Sequence, residues 1–212
     1  MLDLYTWGTP NGRKVSIMLE ELGQPYKVIA VNIGEDAQFD PAFLAIAPNN
    51  KIPALVDHDA GVSVFESGAI MVHLAERFGR FLPTAAGPRA ETMQWLMWQM
   101  GGFGPILGQV HHFVHKNPGL SDAAATRFST EARRLYGVLD RRLGTSEFLA
   151  GDYSIADMAT FPWAARHDWQ RIDLRGYPNV LRWYRTLAAR DAVQRGYQVP
   201  RDVGPIPMPN GD

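Results

Sequence analysis

The chain has 212 residues, 46% hydrophobic and 20% charged, which supplies one large core or two modest ones and excludes a disordered chain. Its 21 basic and 22 acidic residues leave a net charge of −1, so no broad positive field attracts nucleic acid or an anionic membrane. There is no cysteine, which excludes a disulfide scaffold, a cysteine-ligated metal and a protein thiol nucleophile. Any sulfur chemistry must therefore use sulfur carried in by a ligand. No apolar run approaches the roughly 18–20 residues that span a bilayer, and residues 1–5 lack a basic stretch ahead of an apolar one. The expected location is the cytoplasm.

Residues 2–7 read as a short strand ended by Gly8-Thr9-Pro10. Val15, Met18, Leu19 and Leu22 then fall at i, i+3, i+4 and i+7, one stripe of a helix closed by Gly23. Residues 26–31, β-branched and largely apolar, suit a buried parallel strand. Residues 54–56 and 62–65 flank a turn-like Asp57-His58-Asp59-Ala60-Gly61 and predict a hairpin, after which Ile70, Leu74 and Phe78 mark another helix. The order, βαβ then ββα, predicts an α/β thioredoxin-like domain over residues 1–80.

Residues 79–88 hold two glycines and two prolines and read as a linker, the domain break falling at 81–88. An all-α domain is expected over 89–199. Met93, Leu96, Met97 and Met100 suggest one helical face, and Gly101-Gly102-Phe103-Gly104-Pro105 should bend or interrupt that helix. Phe128, Leu135, Val138 and Leu139 lie on a second helix across 121–143, and Pro178 leads a helix over roughly 178–190. Ser154 stands three residues before Asp157, a capping-box spacing. The proline-rich tail, 200–212, is expected to wrap the surface or stay loose.

Three segments carry chemistry. Thr9-Pro10-Asn11-Gly12 lies between the first strand and first helix, where thioredoxin-like redox proteins carry Cys-x-x-Cys. Ile52-Pro53 precedes a strand, a natural place for a cis peptide bond. Glu66-Ser67 joins the last strand to a helix, where it also fits a plain helix cap. The segments Asn49-Asn50-Lys51-Ile52-Pro53 and Phe65-Glu66-Ser67-Gly68-Ala69-Ile70 resemble the glutathione site of cytosolic glutathione transferases. With Thr9-Pro10-Asn11-Gly12-Arg13-Lys14, Trp95-Leu96-Met97-Trp98-Gln99 and Gly108-Gln109-Val110-His111-His112-Phe113, the chain is similar to their Nu class. That class is related to a fungal prion-forming nitrogen regulator and is known for glutathione-dependent disulfide-bond reduction.

The resemblance covers about residues 1–190. It implies the glutathione transferase fold, glutathione as co-substrate, no metal, a homodimer, and a small disulfide or electrophile as second substrate. Ser67 at a helix start would offer a hydroxyl and neighbouring N–H groups to the γ-glutamyl α-carboxylate, and Glu66 would pair with its α-ammonium. The backbone of Ile52 beside Pro53 would bond the cysteinyl unit, and Lys51 would meet the glycyl carboxylate. Gln38 and Arg127 are ligand contacts by resemblance alone. Thr9 and Asn11 are the candidate stabilisers of the thiolate, with their order left open. Tyr5, inside a strand, should be packed. His111 and His115 share a helix spacing without a convincing third metal ligand, so packing or substrate-side polarity is preferred. Trp95, Trp98, Trp163, Trp169 and Trp183 suit a core or interface. A glutathione-binding regulatory or scaffold protein with little turnover is the alternative function.

Overall fold

A computed structural model describes residues 1–209. They divide into one unit of residues 1–82 with 189–206 and a second of 83–188 with 207–209. In the first, β1 (Leu2–Thr6) pairs parallel with β2 (Tyr26–Ala30) and antiparallel with β3 (Ala54–Asp57). The hairpin partner β4 (Val62–Phe65) completes a sheet of order β2-β1-β3-β4. The parallel pairing of β2 agrees with its sequence, but its burial does not. It is an edge strand, and three of its five residues are exposed.

Helix α1 (Pro10–Leu22) starts with Pro10 in its first turn, where the missing N–H costs nothing, and ends at Gly23 in the left-handed region. The expected stripe is real: Val15, Met18 and Leu19 are fully buried. Burial extends further round the helix, taking in Arg13, Lys14 and Ser16. Two helices pack on α1, namely α3 (Ser67–Phe78) and α9 (Asp191–Tyr197). The α9 contact is close. A Cβ on Gly196 would stand 2.5 Å from Ile17 Cα, so only glycine fits that approach. There Ser16 Oγ donates to Gly196 O at 2.6 Å and Arg13 Nε to Tyr197 O at 3.0 Å. Arg190 and Arg195 pair with Glu21 and Glu20, each at 2.7 Å. Helix α9 was not anticipated from sequence, where 189–199 read as part of the helical domain. Between β2 and β3 the chain makes a short helix, α2 (Pro41–Leu44).

In the second unit α4 (Ala86–Trp98) begins inside the expected linker, with Gly87 and Pro88 in its first turn. Its buried side is Thr92 and Leu96, continued by Gln99 and Phe103, whereas Met97 is 51% exposed. Of the expected face, Leu96 is buried, Met93 and Met100 are half-buried, and Met97 is the one turned out to solvent; Thr92, Gln99 and Phe103 complete the inward stripe. The expected interruption takes the form of a π-helical turn, Gln99–Phe103, which leads into α5 (Gly104–Val110) and a second π-helical turn, His111–Lys116. Helices α6 (Asp122–Leu143), α7 (Ile155–Ala164) and α8 (Pro178–Ala188) complete the unit. Its core includes Leu96, Phe103, Leu107, Tyr136, Leu139 and Trp183, each fully buried. Ser154 and Asp157 form the expected capping box at the start of α7. No helix among the described residues is long and apolar enough to cross a membrane.

Candidate glutathione site

Strand register gathers three chain segments at one end of the first unit's sheet. Tyr5 pairs with Ala54, and Ala54 with Phe65. The chain leaving β1 through Trp7-Gly8-Thr9, the chain entering β3 through Ile52-Pro53 and the chain leaving β4 through Glu66-Ser67 therefore meet there. The Ile52–Pro53 peptide is cis. The Ile52 side chain packs with Val31, Phe43, Ala47 and Ala54, and Tyr5 packs against that cluster, 6.1 Å from the Phe43 ring. What Ile52 can offer a ligand is thus its backbone. Asn50 takes a left-handed turn at φ 48°, a conformation asparagine tolerates, and delivers an exposed Lys51.

Thr9 caps α1: its Oγ1 accepts from Gly12 N at 3.2 Å, which leaves the hydroxyl proton to donate elsewhere. Asn11 stands in the first turn and, like Thr9, is half-buried. The turn presses hard on the strand before it. A Cβ on Gly12 would lie 2.3 Å from Trp7 O and 2.4 Å from Thr6 Oγ1, so glycine is what lets α1 start here.

Glu66 precedes α3 at φ 70°, a strained backbone for a glutamate, and makes no side-chain cap bond to the helix. Its carboxylate is exposed, whereas Ser67, the first residue of α3, is 3% exposed. A helix start not capped by its own N-cap side chain is a ready site for an anion, because first-turn N–H groups lack intrahelical acceptors. Beside Ser67 lies Lys14, 1% exposed, with Nζ 3.4 Å from Ser67 Oγ. Burial pushes its ammonium down to about 7, partly opposed by the Glu66 charge. Sequence reasoning passed over Lys14. Its burial comes from the packing of distant elements on α1, which leaves no local signal in the sequence.

The structure thus brings Thr9, Asn11, Ile52, Pro53, Glu66 and Ser67 to one end of the sheet, and Lys51 enters β3 beside them. Gln38 lies in the excursion between β2 and β3, its Nε2 donating to Asp36 Oδ1 at 3.3 Å. Arg127 belongs to the second unit, on the exposed side of α6. In that unit His111 is packed, stacked on Trp163 and edge-on to Trp169, both at 5.4 Å. Gln170 Nε2 donates to His111 Nε2 at 3.1 Å and to Trp163 O at 2.8 Å, and Tyr136 O–H donates to Gln170 Oε1 at 2.6 Å. Burial pushes His111 down to about 4. His115 stacks on Trp169 at 4.3 Å.

A mixed four-stranded sheet with a cis-proline loop, followed by an all-helical unit, defines a thioredoxin-like protein with an α-helical partner domain. The chain belongs to the glutathione S-transferase family: it matches the family's N-terminal domain over residues 4–86 and its C-terminal domain over 104–191. It is 50% identical over 198 residues to the disulfide-bond oxidoreductase YfcG of Escherichia coli strain K12, covering 91% of this chain and 92% of that one. A glutathione transferase from Burkholderia graminis, solved with two glutathione molecules bound per subunit, is 43% identical with TM-score 0.88, covering 94% of this chain and 88% of that one. Another from Pseudomonas putida, with one glutathione disulfide bound per subunit, is 42% identical with TM-score 0.86 and covers 94% and 91%.

Proposed function

We propose that this chain is a glutathione-dependent disulfide-bond reductase of small substrates, with a weaker capacity to add glutathione to electrophiles. The observation that carries the reading is the start of α1: Thr9 and Asn11 occupy the redox-motif position of a chain that has no cysteine, so the reacting sulfur belongs to glutathione. The start of α3 and Ser67 would take the γ-glutamyl α-carboxylate, and Glu66 the α-ammonium. The Ile52 backbone beside Pro53 would take the cysteinyl unit and Lys51 the glycyl carboxylate, with Gln38 and Arg127 as further polar contacts. A thiol of pKa about 8.5 is only a few per cent thiolate at neutral pH. Hydrogen bonds from Thr9 and Asn11 and the positive end of α1 favour the charged sulfur.

One glutathione thiolate attacks the substrate disulfide and expels one substrate thiolate. A second attacks the mixed disulfide, releasing the other substrate thiolate and glutathione disulfide. The two protons from the glutathione thiols end on the two product thiols. The name of the Escherichia coli relative and the ligands of the two solved transferases support this sequence. We also infer a homodimer acting in the cytoplasm, where a reduced glutathione pool drives the exchange. Exposed Phe65 and Met97 are apolar groups suited to subunit contact.

Steady-state reduction of a small aliphatic disulfide at varied glutathione, run beside an electrophile-conjugation assay, tests the reading. Saturable reduction exceeding conjugation is expected. Glutathione binding with neither activity would replace this reading with the scaffold one. Light scattering should give twice the chain mass.

A further inference from the structure

In the helical unit the first half of α6 and the 3-10 turn His167–Gln170, which follows α7, border a cleft of about 350 Å³, a size that takes a small organic ligand. Asp122, Thr126, Ser129 and Arg133 line it from one face of α6, at i, i+4, i+7 and i+11. Phe113 lines it from the second π-helical turn, and Arg171 from the end of the 3-10 turn. Arg171 N donates to Asp168 O at 3.1 Å, with Arg171 in a left-handed conformation at φ 55°, which fixes where its side chain departs.

The cleft is rich in donors that the protein leaves unanswered. Thr92, Thr160 and Thr186 each donate their hydroxyl to the carbonyl four residues back, at 3.0, 2.8 and 3.0 Å, an outlet open to a hydroxyl inside a helix. Thr126 and Ser129 make no such bond among the described residues. Elsewhere in the unit Arg134 is paired with Glu131 at 2.6 Å, Arg175 with Asp173 at 2.8 Å and Arg142 with Glu91. Arg133 and Arg171 have no carboxylate partner among the described residues; Arg133 Nη2 makes a long 3.5 Å contact to Thr130 Oγ1.

We infer that this cleft binds a small phosphate monoester. Arg133 and Arg171 take the phosphoryl group, since the planar guanidinium fork matches two of its oxygens at once. Thr126 and Ser129 donate to its oxygens, and the organic part lies on Phe113. Asp122, at the far end of the same helix face, repels the dianion and confines it to the arginine end. A net charge of −1 gives no long-range field that collects polyanions, so the fit is to a compact ligand. The residues proposed for glutathione are others; Arg127, though on α6, does not line this cleft.

The test is titration calorimetry of the full chain with phenyl phosphate at fixed ionic strength, at about pH 7.5, above the second phosphate ionisation near about 6. Saturable binding is expected, with inorganic phosphate about fivefold weaker for want of the ring. Arg133→Ala and Arg171→Ala should each weaken phenyl phosphate by about tenfold or more. Arg134→Ala, on the same helix but outside the cleft, should bind as wild type, and so should wild type saturated with glutathione. Absence of wild-type binding at millimolar phenyl phosphate overturns the proposal, as does unchanged binding in either cleft-arginine variant. An equal loss in Arg134→Ala overturns it by showing diffuse attraction, and displacement by glutathione overturns it by placing the phosphate elsewhere.

Discussion

Asp157 in the helical unit and Lys14 in the sheet-bearing unit are both ionisable groups shut away from water near a helix start. Their surroundings differ. Asp157 accepts from Ser154 N at 3.1 Å, Ser154 Oγ at 3.2 Å, Leu149 N at 3.0 Å and Trp183 Nε1 at 2.9 Å. Four donors from three residues converge on two oxygens and offset part of what burial costs that charge. Lys14 instead meets a serine hydroxyl at the sheet end where three chain segments converge. A buried charge answered wholly inside one unit pins structure together. Lys14 stands beside Ser67, the hydroxyl proposed above to meet the glutathione carboxylate.

Substitution should separate the two roles, and the largest effect belongs to the pin. Asp157→Ala leaves four buried donors without their acceptor, a loss of about 3–5 kcal/mol in chemical denaturation, with the helical unit failing first. On the proposed glutathione reading, Ser67→Ala removes a hydrogen bond to a charged ligand group. It should weaken glutathione binding by about 1.5–3 kcal/mol, tenfold or more, while leaving the unfolding midpoint comparatively unchanged. A reversed pattern, with Ser67→Ala unfolding the protein and binding intact, would break the contrast. Thr9→Ala and Asn11→Ala should lower turnover more than affinity in steady-state kinetics, because their donors favour the charged sulfur.

Smaller losses sit at the two glycines that permit close approach. A methyl at either position overpacks the first unit by about 1–3 kcal/mol. Gly196→Ala pushes α9 from Ile17 and should register mainly in stability. Gly12→Ala pushes the start of α1 from Trp7 O and should additionally lower glutathione turnover. Equal turnover in the two variants would show that the α1 start tolerates displacement.

The contrast also bears on what could be read from sequence. The α1 stripe, the β3–β4 hairpin and the Ser154–Asp157 box were legible because each depends on residues a few positions apart, whose spacing is the structure. The edge position of β2 was not, since Tyr26 to Ala30 carries the same apolar, β-branched character that a central strand would. Nor was α9, because its reason for existing is Gly196 against Ile17 and Arg190 against Glu21, pairings separated by most of the chain. Of the candidate site, the residues that offer groups to a ligand were visible as motifs. Lys14 was not, since its burial depends on α3 and α9 closing over α1, which no local pattern announces.

The finest test of how the helical unit holds its buried ionisable groups is the sign of two pH dependences. Burial raises Asp157 from its ordinary carboxylate range to about 6. The folded state therefore holds this proton where the unfolded chain has released it, and its contribution to stability is lost as pH climbs from about 4 to 6. His111 is pushed the other way, to about 4, chiefly by burial and then by the Arg166 charge. Its folded state stays neutral where the unfolded chain is protonated, so its contribution is lost as pH falls from about 6.5 to 4. The two slopes oppose one another across nearly the same window, each at most about 1.4 kcal/mol per pH unit. Neutral variants should expose them one at a time. Relative to wild type, His111→Phe should gain stability as pH falls from about 6.5 to 4, since the wild type alone must then protonate a buried imidazole. Asp157→Asn should be most damaging near pH 4 and less so near neutrality, since the wild type alone must then ionise a buried carboxyl. Urea unfolding at several pH values reads both differences. Parallel curves for either variant would show that the group changes protonation alike in the folded and unfolded states, and that its burial leaves no mark on stability.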